Sequence, residues 1–334
     1  MCCQKRWSSV GATREPIASN GNDRPTETNQ PKIRNSHSQP PDPMVHSDED
    51  EEGRSLTHGN TTADSKPWAA EWSVGDWLAT AALWVLGTWA DKWPPFENDL
   101  KPQLHDSAIS YPHKPAELQA VPAWLLWRYG CWLPAGALVC VAYVVVPAHS
   151  LVRERQRARL LAELWLGLCS SVGCAFAFVC LVKAQVGRLR PDFLARCMPV
   201  DGACTGDALV VEEGRRSFPS GHSAISFSGL AYLTLVLLAC VWHTPTPRAG
   251  TLWKTIFVSL PWLLALWIAL TRLQDHWHHW QDVLVGSLIG HVAAYACFRL
   301  RFYPVSTGAG LTPHSFLLTG EKQRISPLEP LSPA

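Results

Sequence analysis

From about residue 74 onward the chain alternates apolar blocks with short polar segments, whereas the residues before it hold almost no apolar run. Six blocks, at about 74–90, 131–148, 160–182, 224–242, 252–270 and 283–300, reach or approach the length that crosses ~30 Å of hydrocarbon as a helix. One such block would read as a buried helix of a soluble protein; six in succession predict an all-α, polytopic bundle of six transmembrane helices. The first is the shortest and is interrupted by Asp76. Residues 1–69 are rich in Ser, Thr, Asn, Pro and Asp, with "QPPDP" and the acidic run "SDEDEE". Such a segment cannot bury enough apolar surface to offset its ordering entropy, which predicts a disordered tail. Its start lacks an apolar core behind basic residues, so it does not read as a secretory signal; Cys2 and Cys3 are weak candidates for acylation. The membrane domain is expected at 70–302, and residues 303–334 as a flexible C-terminal tail with Ser/Pro sites.

Charge adds a direction. The segment "SLVRERQRARL" between the second and third blocks carries Arg153, Arg155, Arg157 and Arg159, and short arginine-rich loops stay cytoplasmic. By parity both tails face the cytoplasm, and segments 91–130, 183–223 and 271–282 share the lumenal or extracellular side. Lys183, Arg188, Arg190, Arg196, Arg215 and Arg216 lie on that side against the usual bias, as expected of cations that grip an anion; contact with lipid headgroups is the plainer alternative. The whole chain is nearly neutral, with 29 basic and 28 acidic residues, and supplies no electrostatic case for a nucleic-acid partner. Its 17 tryptophans cluster beside the apolar blocks, as rings at a bilayer interface do. Most of the 11 cysteines lie inside those blocks, where a thiol behaves as a small hydrophobe.

Three polar segments on the shared side carry candidate chemistry. "KAQVGRLRPDF" offers Lys183 as a compact charge and Arg190 as a planar fork for phosphate oxygens, although Lys and Arg also snorkel at helix ends. "RRSFPSGHSAISF" sets Pro219, Ser220, Gly221 and His222 just before an apolar run. A helix N-terminus with glycine and a hydroxyl makes a phosphate cradle, and Ser and Pro equally make an ordinary cap; the cap does not explain His222. In "TRLQDHWHHWQDV" Arg272 precedes His278 and Asp282. Four residues apart, the last two stack on one helix face, so the carboxylate can fix the imidazole tautomer and leave the other nitrogen as a nucleophile.

His276, His278 and His279 also invite a zinc reading, but they point in different directions around a helix, so no metal is expected. His276 and His279 are expected at the interface or behind the site, Asp275 as structural, and His291 as hydrogen-bonded between helices. Gly286 and Gly290 form a small-xxx-small pair suited to close helix packing.

Together, "KAQVGRLRP", "PSGH" and "TRLQDHWHHWQD" resemble the three-part signature of the type 2 phosphatidic acid phosphatase superfamily, KxxxxxxRP, PSGH and SRxxxxxHxxxD, in order and spacing. The fuller "GRLRPDF", "RSFPSGHS" and "HHWQDV" resemble its lipid phosphate phosphatase and diacylglycerol diphosphate phosphatase branch, over roughly residues 70–302. Thr271 departs from the family's serine while keeping a hydroxyl. The resemblance implies that His278 is the nucleophile forming a phosphohistidine, that Asp282 orients it, and that His222 protonates the leaving group. It further implies that Lys183, Arg190, Ser220, Gly221 and Arg272 bind phosphate oxygens, with Arg188 assisting. No cofactor is implied, since fixed cations do the electrostatic work often done by a metal.

The expected protein is therefore an integral membrane phosphatase acting on phosphatidate, lysophosphatidate or diacylglycerol pyrophosphate drawn from the bilayer. An isoprenoid diphosphatase and a catalytically silent scaffold of the same fold are the alternatives. A lumenal or extracellular site fits the endoplasmic reticulum, vacuole, Golgi or plasma membrane alike. On that oxidising side, Cys197 and Cys204 are a candidate disulfide closing a short loop.

Overall fold

The computed structural model of the 334-residue chain describes residues 68–97, 103–145, 154–242, 252–307 and 311–315. The expected disordered tail up to residue 67, Cys2 and Cys3, Arg153 and the last residues of the chain lie outside the described residues. The first helix, α1, spans Trp68–Ala90. Among the described residues that follow, two short 3-10 turns, at Ser107–Ile109 and Ala116–Leu118, precede a continuous helical stretch at Ala123–Val145, made of α2 (Ala123–Trp127) and α3 (Leu133–Cys140) joined and extended by π turns. Then come α4 (Glu154–Val186), the short α5 (Phe193–Cys197), a two-stranded hairpin of β1 (Pro199–Val200) and β2 (Ala203–Cys204), and α6 (Ala208–Gly214). Three long helices follow: α7 (Gly221–Trp242), α8 (Leu252–Gln274) and α9 (Trp280–Arg301).

Each expected apolar block lies in a long helical stretch, although the second runs on to residue 148, outside the described residues. Five stretches, Ala123–Val145, Gln156–Val186, Gly221–Val241, Leu252–Gln274 and Trp280–Arg301, are long and apolar enough to cross a membrane. The helix α1, which contains Glu71 and Asp76, is not among them. Most helices outrun their apolar blocks, because a helix continues through the polar interface where composition no longer marks it. Thus Arg155, Arg157 and Arg159, expected in a loop, belong to the first turns of α4, while Thr271 and Arg272 belong to the last turn of α8.

The helix α7 sits at the centre, its buried Phe227, Leu230, Tyr232 and Val236 packed among α4, α8 and α9. Hydrocarbon outside is as apolar as leucine, so helices are held by close packing and hydrogen bonds between them rather than by expulsion of apolar surface. Gly286 and Gly290 supply the closeness. A Cβ on Gly286 would stand 2.4 Å from the Ser220 carbonyl oxygen, and one on Gly290 2.5 Å from that of Ala224. Between α8 and α9, Trp262 Nε1–H donates to His291 Nε2 at 2.7 Å, as expected of a histidine bonded between helices. Ser171 Oγ donates to the Ser228 carbonyl at 2.8 Å, tying α4 to α7. The outward faces are apolar instead: Leu252, Trp253, Phe257, Leu260 and Trp267 on α8, and Leu284, Leu288 and Val292 on α9, are all exposed. This inverted pattern is that of a multi-pass membrane protein.

Several polar segments between the helices meet at one end of the bundle. Phe96 N–H donates to the Ala184 carbonyl, Tyr111 N–H to that of Pro191, and Arg216 bonds the carbonyls of Asp91 and Trp93. Cys197 and Cys204 form a disulfide across the β1–β2 hairpin. At the other end, the C-terminal segment expected to be flexible from residue 303 has a 3-10 turn at Val305–Thr307 and a bridge between Phe302 and Pro313.

Candidate active site

Three helix termini define the site. Lys183 stands in the last turn of α4, Gly221 and His222 open α7, and Asp282 lies in the first turn of α9. The starts of α7 and α9 are joined directly, Ser220 N–H donating to the Asp282 carbonyl at 3.0 Å. Lys183 Nζ lies 3.6 Å from where a Cβ on Gly221 would be, so the absence of a side chain there leaves the lysine beside the backbone of the α7 N-terminus. The segments holding Lys183 and Arg190, Ser220 and His222, and Arg272 to Asp282 are therefore neighbours, as their sequence positions predicted.

The pair His278 and Asp282 is arranged differently from the expected helical stack. The helix α9 starts at Trp280 with His279 as its N-cap, so His278 precedes the helix and reaches Asp282 from the loop. Asp282 Oδ2 accepts from the His279 backbone N–H at 3.0 Å in a capping box, and from Ser217 Oγ at 2.6 Å. Its Oδ1 accepts from Arg188 Nη1 at 2.6 Å. The imidazole Nδ1 of buried His278 lies 3.8 Å from Oδ2, within ion-pair range but beyond hydrogen-bond length. That side of the ring faces the carboxylate, and Nε2 lies on the side away from it. Arg188, expected to assist at the phosphate, thus pairs with Asp282.

Burial pulls the His278 pKa from 6.5 down to about 3, with Arg190 and Lys183 pushing the same way against the opposing pull of Asp282. The ring is thus neutral, the form a nucleophile requires. His222 Nε2 meets the Val121 carbonyl at 3.1 Å, and the ring lies within electrostatic reach of Arg272, His278, Lys183 and Arg190. With Nε2–H donating to a carbonyl, Nδ1 is the nitrogen left to exchange a proton.

Arg190 is 1% exposed. Its Nη2 bonds Glu213 and the Arg216 carbonyl, and its guanidinium stacks 4.3 Å from the Trp277 ring centre, while Nε and Nη1 are buried without a partner. Buried cationic donors left unpaired are costly, and an anion with oxygens to offer satisfies them. Glu213 holds its carboxyl below the ordinary range: burial alone would raise it, but Arg190, Lys183 and Arg216 outweigh burial. Arg272, fully buried, is bonded to Thr271 Oγ1, Gln119 Oε1 and Asp275 Oδ2. Ser220 is buried too, its Oγ accepting from Ser223 Oγ at 3.1 Å.

No motif in the sequence marks Ser217, Glu213, Gln119 or Trp277, and Asp275, expected as structural, holds Arg272. Ser217 was within reach, two residues before Pro219 in "RSFPSGHS"; Gln119 sits in a segment with neither motif nor periodicity. His276 stacks on Tyr111 with ring centres 4.7 Å apart, while His279 meets Asp282 and the Ala108 carbonyl. His276 thus stands apart from His278 and His279, which both face Asp282, and among the described residues no three His, Cys, Asp or Glu side chains are grouped so as to hold a metal.

Comparison with known proteins points the same way. The PAP2 superfamily matches residues 164–306. The chain is 32% identical over 258 residues to Lipid phosphate phosphatase 2 of Arabidopsis thaliana, covering 74% of this chain and 83% of that protein. It is 33% identical over 240 residues to Lipid phosphate phosphatase 1 of the same plant, covering 69% and 68%. It is 30% identical over 248 residues to Diacylglycerol pyrophosphate phosphatase 1 of Saccharomyces cerevisiae, covering 71% and 82%. No solved structure matches the chain.

Proposed function

Since the chain belongs to the PAP2 superfamily, in the branch of the lipid phosphate and diacylglycerol pyrophosphate phosphatases, we propose that it hydrolyses phosphatidate, lysophosphatidate or diacylglycerol pyrophosphate through a phosphohistidine. The observation that carries this reading is the pair of unpartnered, buried Arg190 donors, held on the ring of Trp277, the residue next to His278. Neutral His278 Nε2 attacks phosphorus in line; the N–P bond forms as the bond to the lipid oxygen breaks. The bound phosphate dianion offsets the surrounding cations and lets His222 take up a second proton on Nδ1, which it delivers to that oxygen. Lys183, Arg190 and Arg272 balance the charge spread over the equatorial oxygens, with Ser220 and the backbone of Gly221 contributing donors at the α7 N-terminus. Water then attacks the phosphohistidine, His222 takes the water's proton, the N–P bond breaks and phosphate leaves.

Asp282 supports the positive charge that grows on His278 during attack, and Arg188, Ser217 and the His279 N–H hold the carboxylate in place. Three fixed cations supply what a metal supplies in other phosphoryl-transfer sites, so the reaction is expected to run without one. The arginines at the start of α4 favour cytoplasmic termini and a site on the lumenal or extracellular face. Lipid headgroups reach such a site while their chains stay in the bilayer.

The test is phosphate release by the purified protein from a panel of lipid phosphates that includes an isoprenoid diphosphate. Wild type is expected to turn over the glycerolipids in excess chelator and His278→Ala to release nothing. Equal release by both would overturn the assignment; preference for the isoprenoid would move it to another substrate class.

A further inference from the structure

The segment 111–121 carries no part of the signature, yet it touches every signature segment. Its Tyr111 N–H donates to the Pro191 carbonyl at 3.0 Å, and His113 Nδ1 meets Asp192 Oδ2 at 2.7 Å. Its Val121 carbonyl meets His222 Nε2 at 3.1 Å. Lys114 pairs with Asp275 Oδ1 at 2.5 Å, and its carbonyl accepts from Trp277 Nε1–H at 3.0 Å. Gln119 Oε1 accepts from Arg272 Nη1 at 2.6 Å.

The last contact decides what Arg272 can do. A guanidinium has five N–H donors. On Arg272, Nε and one Nη2 hydrogen go to Thr271 Oγ1 at 3.2 and 2.9 Å, and the second Nη2 hydrogen to Asp275 Oδ2 at 3.0 Å. Gln119 takes one of the two on Nη1. A single Nη1 hydrogen is left, and its direction is set by the bonds that hold the others. Asp275 is itself fixed, Oδ2 accepting from Ala120 N–H at 2.9 Å while Lys114 offsets its charge. Gln119 and Asp275 are both buried, where each bond is protected from competing water.

We infer that Gln119 and Asp275 are positioning residues that aim the one remaining Arg272 donor at the substrate phosphate, and that segment 111–121 is a fourth wall of the active site. The inference rests on the proposed role of Arg272 as a phosphate ligand. Removing the Gln119 acceptor releases one edge of the planar guanidinium, which can then tilt about its Thr271 and Asp275 bonds, so phosphate loses an aimed donor both when bound and at the transition state. Thr271, where the family pattern has serine, keeps the hydroxyl acceptor that this arrangement needs.

The experiment measures kcat, KM and the inhibition constant of orthovanadate for full-length protein in detergent micelles with dioctanoyl phosphatidate. Gln119→Leu is expected to raise KM and the vanadate constant together by about tenfold, with a smaller fall in kcat; Asp275→Asn moves both constants in the same direction. Glu117→Gln, at an exposed neighbour in the same segment, leaves them unchanged. A merely structural role for Gln119 would lower the amount of active enzyme and leave both constants at the wild-type value, and that result overturns the inference. Gln119→Asn, polar and smaller, withdraws the acceptor by about one bond length and decides the matter if the leucine variant does not fold. Turnover surviving in His278→Ala refutes the reading of the site as a whole; a dead His278→Ala beside an unaltered Gln119→Leu refutes the positioning role alone.

Discussion

A His278 imidazole that stays neutral in mild acid is the sharpest consequence of this geometry. Burial takes the His278 pKa from 6.5 down to about 3. At pH 5 an ordinary histidine is about 97% protonated, whereas this one is about 1% protonated, a difference of about thirtyfold or more in neutral imidazole. Stability is linked to the same shift. Between the two values the unfolded chain binds a proton that the folded protein does not, so His278 favours folding fully above pH 6.5 and loses that contribution as pH falls toward 3. At 1.36 kcal/mol per unit, acidification from 6.5 to 5 removes about 2 kcal/mol. Nitrogen-15 NMR of histidine-labelled protein in micelles, assigned by comparison with His278→Gln, is expected to show no titration of His278 between pH 5 and 8. Thermal unfolding should fall more steeply with acid for wild type than for His278→Gln. A His278 midpoint between 6 and 7, or parallel unfolding curves for the two proteins, would refute the reasoning.

Asp282→Asn removes the charge that supports His278 and is expected to cost about 10²–10⁴-fold in kcat, measured on a soluble lipid phosphate, with KM little changed. Gly286→Leu drives a side chain into the Ser220 carbonyl, 2.4 Å from the first added carbon; about 1–3 kcal/mol of stability and most of the turnover should be lost together, read by thermal unfolding and phosphate release. Reduction of the Cys197–Cys204 disulfide, which closes a loop with a sequence separation of 7, should lower stability by about 2–3 kcal/mol. The melting temperature of Cys197→Ser would show the same fall without reductant. Excess chelator should leave turnover by purified protein intact, and complete loss would argue for a metal.

Much of this was legible in the chain because its signals are local. A bilayer demands an uninterrupted apolar run, so the blocks that became α4, α7, α8 and α9 announced themselves, while α1, with Asp76 inside it, stayed at the margin. Lys183, Arg190, His222, Arg272, His278 and Asp282 stood at spacings that fit one phosphoryl group, and Gly286 and Gly290 sat one turn apart on a face that proved to need them. Spacing could not say that His278 precedes α9 and meets Asp282 from a loop, because i and i+4 share a face only where the backbone is already helical. Nor could it assign Arg188 to Asp282, Glu213 to Arg190, or Gln119 and Asp275 to Arg272. Those partners lie as many as 153 residues apart, joined only when helix packing folds the segment before α2 over the ends of α4, α7 and α8. The sequence by itself determined which polar residues stand at the signature spacings and which stretches are long and apolar enough to cross a membrane. Tertiary structure decided their protonation and their aim, since burial and hydrogen-bond direction exist only once distant segments have met.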